Sequence, residues 1–252
     1  MSTIRETGLT FQRQALQMLR NPVWVFVGFS TPLLYLLLFT PLLKGVPGVG
    51  RTTGDVLDAF LPGIMALLAF SSGASSGFGT IFELQSGLIE RFRVTPASRL
   101  AILLGPFLFG MVSMYTFDLV LVLAGAIFGF SIHVAGLLVL AVLLGLLGVM
   151  MASFSTALAL TTKDISAFAA VINGINLPVL LLAGVLLPIA LGPEWLRVVG
   201  HLDPLYYLVV ASRHLAAGGL GAPATWQAFA VIAPLAALSL WWATSVFREA
   251  VS

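Results

Sequence analysis

Cysteine is absent from this 252-residue chain, which excludes a disulfide framework, a thiolate nucleophile and a thiolate metal site. Charge is scarce as well: 12 Lys or Arg and 10 Asp or Glu amount to 9% of the residues, against 59% hydrophobic. A soluble domain of this size does not stay dispersed with so little charge. The formal net charge of +2 is too small to point to nucleic acid. Only two lysines occur, Lys44 before Gly45 and Lys163 before Asp164. A Walker-type phosphate loop needs Lys followed by Ser or Thr behind a Gly-rich turn, so the chain cannot bind ATP in that way. The short alternating segments of a membrane β-barrel are missing too. What the chain does have is long apolar runs, with a mean hydropathy of +1.06. The class this predicts is an all-α, polytopic membrane protein. The charged stretches are all short, so residues 1–252 read as a single transmembrane domain.

Residues 4–20 place Ile4, Leu9, Phe11, Ala15, Leu16 and Leu19 at helical spacing, with Arg5, Arg13 and Arg20 elsewhere. This reads as an interfacial helix within 1–22, its arginines near anionic headgroups. No small-residue cleavage site follows the first apolar run, so 23–43 reads as a retained span. Residues 44–58, rich in Gly, Pro and Thr, read as a connection. The second span is expected over 60–82, where Ser71, Ser72, Gly73, Ala74, Ser75, Ser76 and Gly77 permit close helix contact. Residues 100–130 and 134–160 form the third and fourth spans, joined by a tight turn at Ser131-Ile132-His133. Both exceed the roughly 20 residues that spanning requires. Either extra helix projects beyond the lipid, or a third crossing is hidden in this double run, which would invert everything downstream. After a polar turn at 161–164, the fifth span runs over 165–187. Its Asn173, Gly174, Asn176 and Pro178 predict a kinked or interrupted helix. Residues 188–223 are too polar for a plain span, yet include a helix-like piece over 205–215. The sixth span covers 225–247, with Trp226, Trp241 and Trp242 as interfacial anchors.

Six spans with the N-terminus inside put Arg5, Arg13, Arg20, Arg91, Arg93, Arg99, Lys163 and Arg248 on the cytosolic side. Lys44, Arg51, Arg197 and Arg213 then lie outside. That excess of basic residues inside is what the positive-inside rule asks for, and it places both termini in the cytosol.

Residues 83–99 are the one stretch where acids, bases and turn residues gather together, with long apolar runs on both sides. Leu84, Leu88 and Phe92 recur every four residues, and Glu83, Ser86, Gly87, Glu90 and Arg91 fall opposite them. Thr95-Pro96 closes the segment, because the residue before proline is pushed out of the α region. The same pair can cap and open the next helix. Spacing alone leaves two readings open, a short amphipathic helix between spans or a solvated loop on the headgroups.

Asp118 is the one acid deep in an apolar run, at a cost of about 3 kcal/mol or more on insertion scales. Such a residue either marks a polar point on a translocation path or is a neutral, hydrogen-bonded acid that packs helices. Asn173 and Asn176 share a helix face and are candidates for the same path, with helix–helix hydrogen bonding as the plainer role. His133, His201 and His214 show no metal-ligand spacing, so no metal site is expected. No Gly-Ser-Gly-type serine site occurs, and an aspartyl dyad would need a second intramembrane Asp besides Asp118.

Glu83, Gly87, Glu90, Arg91, Thr95, Pro96, Ser98 and Arg99 together resemble the cytosolic coupling segment of bacterial type-2 ABC exporter permeases, the drug-exporting class similar to daunorubicin-resistance transporters. In that class a Glu-rich, Gly-containing helix between the second and third spans ends in Thr-Pro-x-Ser-Arg. Leu88 departs from the pattern, standing where the family often has Thr. A second, distant match is to the family's outer re-entrant segment: Leu187-Pro188, Pro193-Glu194-Trp195, Asp203-Pro204-Leu205-Tyr206-Tyr207 and Arg213. Arg20-Asn21-Pro22 and Phe60-Leu61-Pro62-Gly63-Ile64 resemble the entries to the first two spans.

The resemblance implies that a coupling helix over 83–95 docks into a separate ABC ATPase subunit, which carries the ATP and Mg. This chain would then bind no cofactor and be no enzyme. A re-entrant segment over 188–223 and a second permease subunit, identical or homologous, are implied as well. So are membrane lipids and a small hydrophobic substrate as partners, and multidrug efflux or antibiotic resistance as the setting. The expected activity is alternating-access export of hydrophobic or amphipathic compounds across a bacterial plasma membrane. Two other classes compete with it. A secondary transporter should repeat its interrupted span in both halves, and Asn-Gly-Ile-Asn-Leu-Pro of the fifth span has no counterpart in the second. A non-transporting scaffold would need no coupling helix.

Overall fold

The computed structural model of the protein describes residues 3–44, 52–85, 99–185, 189 and 192–251. Among these, the regular elements are all helices: α1 (Thr3–Leu19), α2 (Pro22–Leu43), α3 (Thr53–Gln85), α4 (Arg99–Ile127), α5 (Val134–Thr162), α6 (Ile165–Leu182), α7 (Glu194–Gly200), α8 (Pro204–Ala216) and α9 (Pro223–Val251). Six of them, α2 to α6 and α9, are long and apolar enough to cross a membrane. The protein is therefore an all-α, polytopic membrane protein.

Local chemistry explains where the helices start and stop, including where the sequence-based bounds miss. The connection expected over 44–58 is shorter, because α3 already begins at Thr53. A reciprocal cap starts it: the Thr52 N–H donates to Asp55 Oδ2 (3.0 Å) and the Asp55 N–H to Thr52 Oγ1 (3.1 Å). The other end of α3 runs through Gln85, so Glu83 belongs to the span helix and opens no separate element. Residues 86–98, which hold the rest of the expected coupling helix, lie outside the described residues. Helix α4 ends at Ile127 and Gly129 turns the chain in a left-handed conformation, φ 102°. Asp164 caps α6 by accepting from the Ala167 N–H at 2.7 Å.

The fifth span departs most from expectation. Helix α6 is continuous through Asn173, Gly174 and Pro178, not interrupted, and it stops at Leu182 instead of 187. Gly184, with φ 66°, is the reason for the stop: a left-handed residue just past the last turn closes a helix.

Helix α5 lies between α3 and α9 and packs most extensively on both. Its Leu140, Leu143, Leu144 and Leu147 are buried, the three-and-four spacing of one helical face. From α3 they meet a core that includes Leu57, Phe60, Leu61 and Ile64. Lipid tails are as apolar as leucine, so contact geometry and hydrogen bonds hold such helices together more than apolar burial does. Helix α2 packs on α3 and α4 through ring contacts, Phe39 with Phe60 (5.5 Å between centroids) and Phe29 with Phe117 (4.7 Å). Helix α1 packs on α4 through Phe11 and Phe109 (5.8 Å), with Thr10 against Gly105, and leaves Leu9, Leu16 and Leu19 exposed. Trp226 and Trp241 are exposed, whereas Trp242 packs on Phe154 of α5 at 5.6 Å.

One end of the bundle gathers the start of α3, the α4–α5 turn, the end of α6, the start of α9, and α8. Ser131 N–H donates to Asp58 Oδ1 (2.8 Å), and His133 Nδ1 lies 2.8 Å from the Ala216 carbonyl. Lys163 sits at the far end of α5, which at about 1.5 Å per residue is a full membrane thickness away.

Candidate functional site

The α3–α5 seam is where small residues bring two spans into contact. Gly73, Ala74 and Gly77 are buried there, while Ser71 and Ser75 face outward. A Cβ on Gly73 would lie 2.6 Å from Met151 Cβ and 2.9 Å from the Gly148 carbonyl. The approach lets backbone groups take side-chain partners: Ser76 Oγ donates to the Ala152 carbonyl (3.1 Å), Gly77 N–H to Ser155 Oγ (3.0 Å), and Ser155 Oγ to the Ala74 carbonyl.

Helix α8 closes the bundle at the end defined above. Asp203 caps it, Oδ1 accepting the Leu205 N–H at 2.9 Å, and Pro204 occupies the first turn, where its missing N–H costs nothing. Leu205, Leu208, Val209, Ser212 and Leu215 are buried against α3, α5 and α9. Arg213 is the tie between elements. Its Nε donates to the Ala59 carbonyl (2.8 Å), and Nη2 to the carbonyls of Gly184 (2.8 Å) and Val185 (3.4 Å). Tyr206 stacks on His201, centroids 5.0 Å apart. Thus Asp203, Pro204, Tyr206 and Arg213 come together on one short helix, while Pro188 lies outside the described residues.

Asp118 is 3% exposed, on the α4 face that also buries Met114, Leu121 and Val122. Glycines line the neighbouring contacts: Gly148 beneath Met114, Gly145 beneath Tyr115, and Gly125 against Leu61 of α3. Tyr115 donates its hydroxyl to the Ala141 carbonyl at 2.9 Å. Neither Asp118 oxygen has a hydrogen-bond partner among the described residues. Asn173 is exposed, and the half-buried Asn176 has an unpartnered Oδ1, so the expected helix–helix bonding of this pair is not seen among the described residues. Helix α6 packs on α3 and α5, not extensively on α4, so these asparagines are not brought into one cluster with Asp118. Of the coupling residues, Gly87, Glu90, Arg91, Thr95 and Pro96 lie outside the described residues. Glu83 lies in the last turn of α3, and Arg99 begins α4. No group of three His, Asp or Glu side chains suited to a metal is present among the described residues.

Residues 5–216 match the ABC-2 type transporter family. The chain belongs to that family. Its relatives include a protein of Cyanophora paradoxa provisionally named transport permease ycf38, 31% identical over 84% of this chain and 74% of the relative. Proteins of the same name from Pyropia yezoensis and Porphyra purpurea are each 29% identical, over 85% and 84% of this chain and 75% and 74% of their own lengths. The name of those relatives and the description of the family agree on transport.

Several residues of this ABC-2 permease that hold the site together carry no chemical motif. Ser155, Gly136 and His133 are examples; Gly136 lies so close to the Leu215 carbonyl that no Cβ fits between them. Only the small-residue run at 71–77 signalled one of these contacts.

Two consequences can be measured here. Burial pushes the Asp203 carboxyl up to about 6, against the opposing effect of the Leu205 hydrogen bond. A raised pKa means that the folded state holds the proton more tightly than the unfolded chain does. The resulting stabilisation is complete below about 4, the unfolded value, and is lost as pH rises through 6. Wild type should therefore lose more thermal stability between pH 5 and pH 8 than Asp203→Asn, since all other groups are common to both proteins. Equal losses would refute the assignment. For Asp118, Asn preserves shape and removes no hydrogen bond, so Asp118→Asn is expected to leave folded yield and transport near wild type for a cationic and a neutral substrate alike. Selective loss of the cationic one would put the carboxylate on the path.

Proposed function

We propose that this chain is the transmembrane subunit of an ATP-driven exporter that moves hydrophobic or amphipathic compounds by alternating access. Membership of the ABC-2 type transporter family is the observation that carries this reading. The absence of any Walker-type lysine supports placing ATP and Mg on a separate ABC ATPase subunit. Two permease subunits, identical or homologous, would form the path between them. Drugs, antibiotics or lipids are the substrate classes that the coupling-segment resemblance favours.

In this reading residues 83–95 dock on the ATPase, and motion passes through Thr95-Pro96 into α4. Arg5, Arg13, Arg20, Lys163 and Arg248 face the cytosol with both termini, α1 lies at the cytosolic interface, and the α8 end forms the outer re-entrant segment over 188–223. The excess of basic residues at the opposite end supports that orientation.

The test is charge reversal at Glu90 and Arg91 in the assembled complex. Glu90→Lys with Arg91→Glu should lower substrate-stimulated ATP hydrolysis while the chain still inserts and assembles. Unchanged hydrolysis would remove this segment from coupling.

A further inference from the structure

We propose that the cleft between α8 and α9 binds the uncharged, hydroxyl-bearing headgroup of a membrane lipid, a glycosyl diacylglycerol being the chemistry that fits. The cleft has a volume of about 400 Å³ and is lined by His201, Tyr206, Tyr207, Gln227, Val210 and Val231, with small alanines between. That is within the roughly 300–1,000 Å³ of small-ligand sites, which combine apolar walls with a few convergent polar groups.

The polar groups are the first part of the case. His201 Nδ1 is committed to the Arg197 carbonyl (2.8 Å), and the Tyr207 hydroxyl to the His201 carbonyl (3.0 Å). The Tyr206 hydroxyl, the Gln227 amide and the other His201 ring nitrogen have no hydrogen-bond partner among the described residues. Together they supply donors and acceptors without charge, which suits hydroxyl groups. The Tyr206 ring, held nearly parallel to His201 at 24°, offers an aromatic surface for the apolar face of a sugar ring. Among the described residues no Lys, Arg, Asp or Glu lines the cleft. Arg213, which interacts electrostatically with Tyr206, is committed to the carbonyls of Ala59, Gly184 and Val185. A phosphate headgroup would therefore meet no uncommitted counter-charge there, even if its choline found a ring.

Depth is the second part. Gln227 lies in the first turns of the span that starts at Pro223, beside the exposed Trp226, a residue type that marks the membrane interface. From there the walls of Val210, Ala230 and Val231 continue along the span, an apolar track for the chains of a lipid. The sugar is thus lipid-borne.

The experiment is a lipid titration of the full chain in detergent, read by native mass spectrometry, with glucosyl diacylglycerol, phosphatidylcholine and phosphatidylglycerol of matched chains. Retention needs neither nucleotide nor transport, so this site and the export reading fail separately. The glucosyl lipid should be retained best. Tyr206→Phe and Gln227→Leu should each weaken it by about three- to ten-fold, the value of one hydrogen bond, without changing phosphatidylcholine retention. The exposed Leu238→Ala control on α9 should change nothing. Should Gln227→Leu not be recovered folded, Tyr206→Phe decides, since it keeps the ring and its stacking. Equal retention of the three lipids, preference for phosphatidylcholine, or indifference to Tyr206→Phe would overturn the proposal and leave an ordinary aromatic belt. Displacement of the lipid by free glucose would overturn its lipid-borne form.

Discussion

Arg213→Met is expected to lower the folded yield and thermal midpoint more than any other single polar change at the α8 end. The guanidinium binds three backbone carbonyls, those of Ala59, Gly184 and Val185, and so ties α8 to the start of α3 and the end of α6. Methionine fills much of the same space but donates nothing, so these carbonyls lose their partner in apolar surroundings. A hydrogen bond from a charged donor contributes about 1.5–3 kcal/mol. The two short bonds therefore suggest a loss of roughly 3 kcal/mol or more, reduced somewhat because the buried charge disappears with them. Burial does pull the guanidinium pKa down, yet arginine stays charged. Arg213→Lys should recover part of the loss, since an ammonium can reach one helix but lacks the planar fork that reaches two. Size-exclusion profiles after graded heating would report it. A Met variant that melts with wild type would show that the tie contributes nothing.

The second large effect is expected at the α3–α5 seam. At Gly73 a Cβ would meet backbone atoms, the Gly148 carbonyl at 2.9 Å and the Ala152 nitrogen at 3.0 Å, besides Met151 Cβ. At Gly77 it would meet the Phe168 ring and the Ser155 carbonyl at 2.6 Å. Backbone cannot swing aside as a side-chain tip can, so Gly73→Val or Gly77→Val must push the helices apart. Overpacking alone costs about 1–3 kcal/mol. Separation would also break the bonds from Ser76 to Ala152 and from Gly77 to Ser155, each worth about 0.6 kcal/mol in membrane helices. Gly79 provides the comparison, being on the same helix with nothing within 4 Å of the point a Cβ would occupy. Gly79→Val should yield monodisperse protein where the seam variants yield aggregate or none. Similar yields from all three would mean that the seam tolerates separation.

The candidate site was legible in proportion to how much of it rests on side-chain chemistry. The helix-like piece expected over 205–215 is a helix in the structure, where Asp203 caps it. The Arg213 tie could not be read, because its partners are main-chain carbonyls that any residue would supply. Asn173 and Asn176 show the opposite case: their amides suggest an interhelical bond, yet within the chain the side of α6 that carries Asn173 is exposed. Pro178 suggests a kink or an interruption, and α6 carries it within a continuous helix. Gly184, which ends α6, gives no turn signal in the sequence because apolar residues flank it on both sides.

By itself, the sequence determined that this is a chain of six membrane-crossing helices. Hydrocarbon thickness sets the length of an apolar run, and unsatisfied backbone in lipid forces each run into a helix. The tertiary structure alone decided which helices touch and through which faces. Helix α5 is apolar nearly all the way round, so no polar side marks which stripe faces lipid and which faces α3 or α9. In water the hydrophobic pattern would supply that information. Between lipid and leucine there is little to choose, and the choice falls to shape: glycines at 73 and 77 that admit α5, and one arginine that finds three carbonyls.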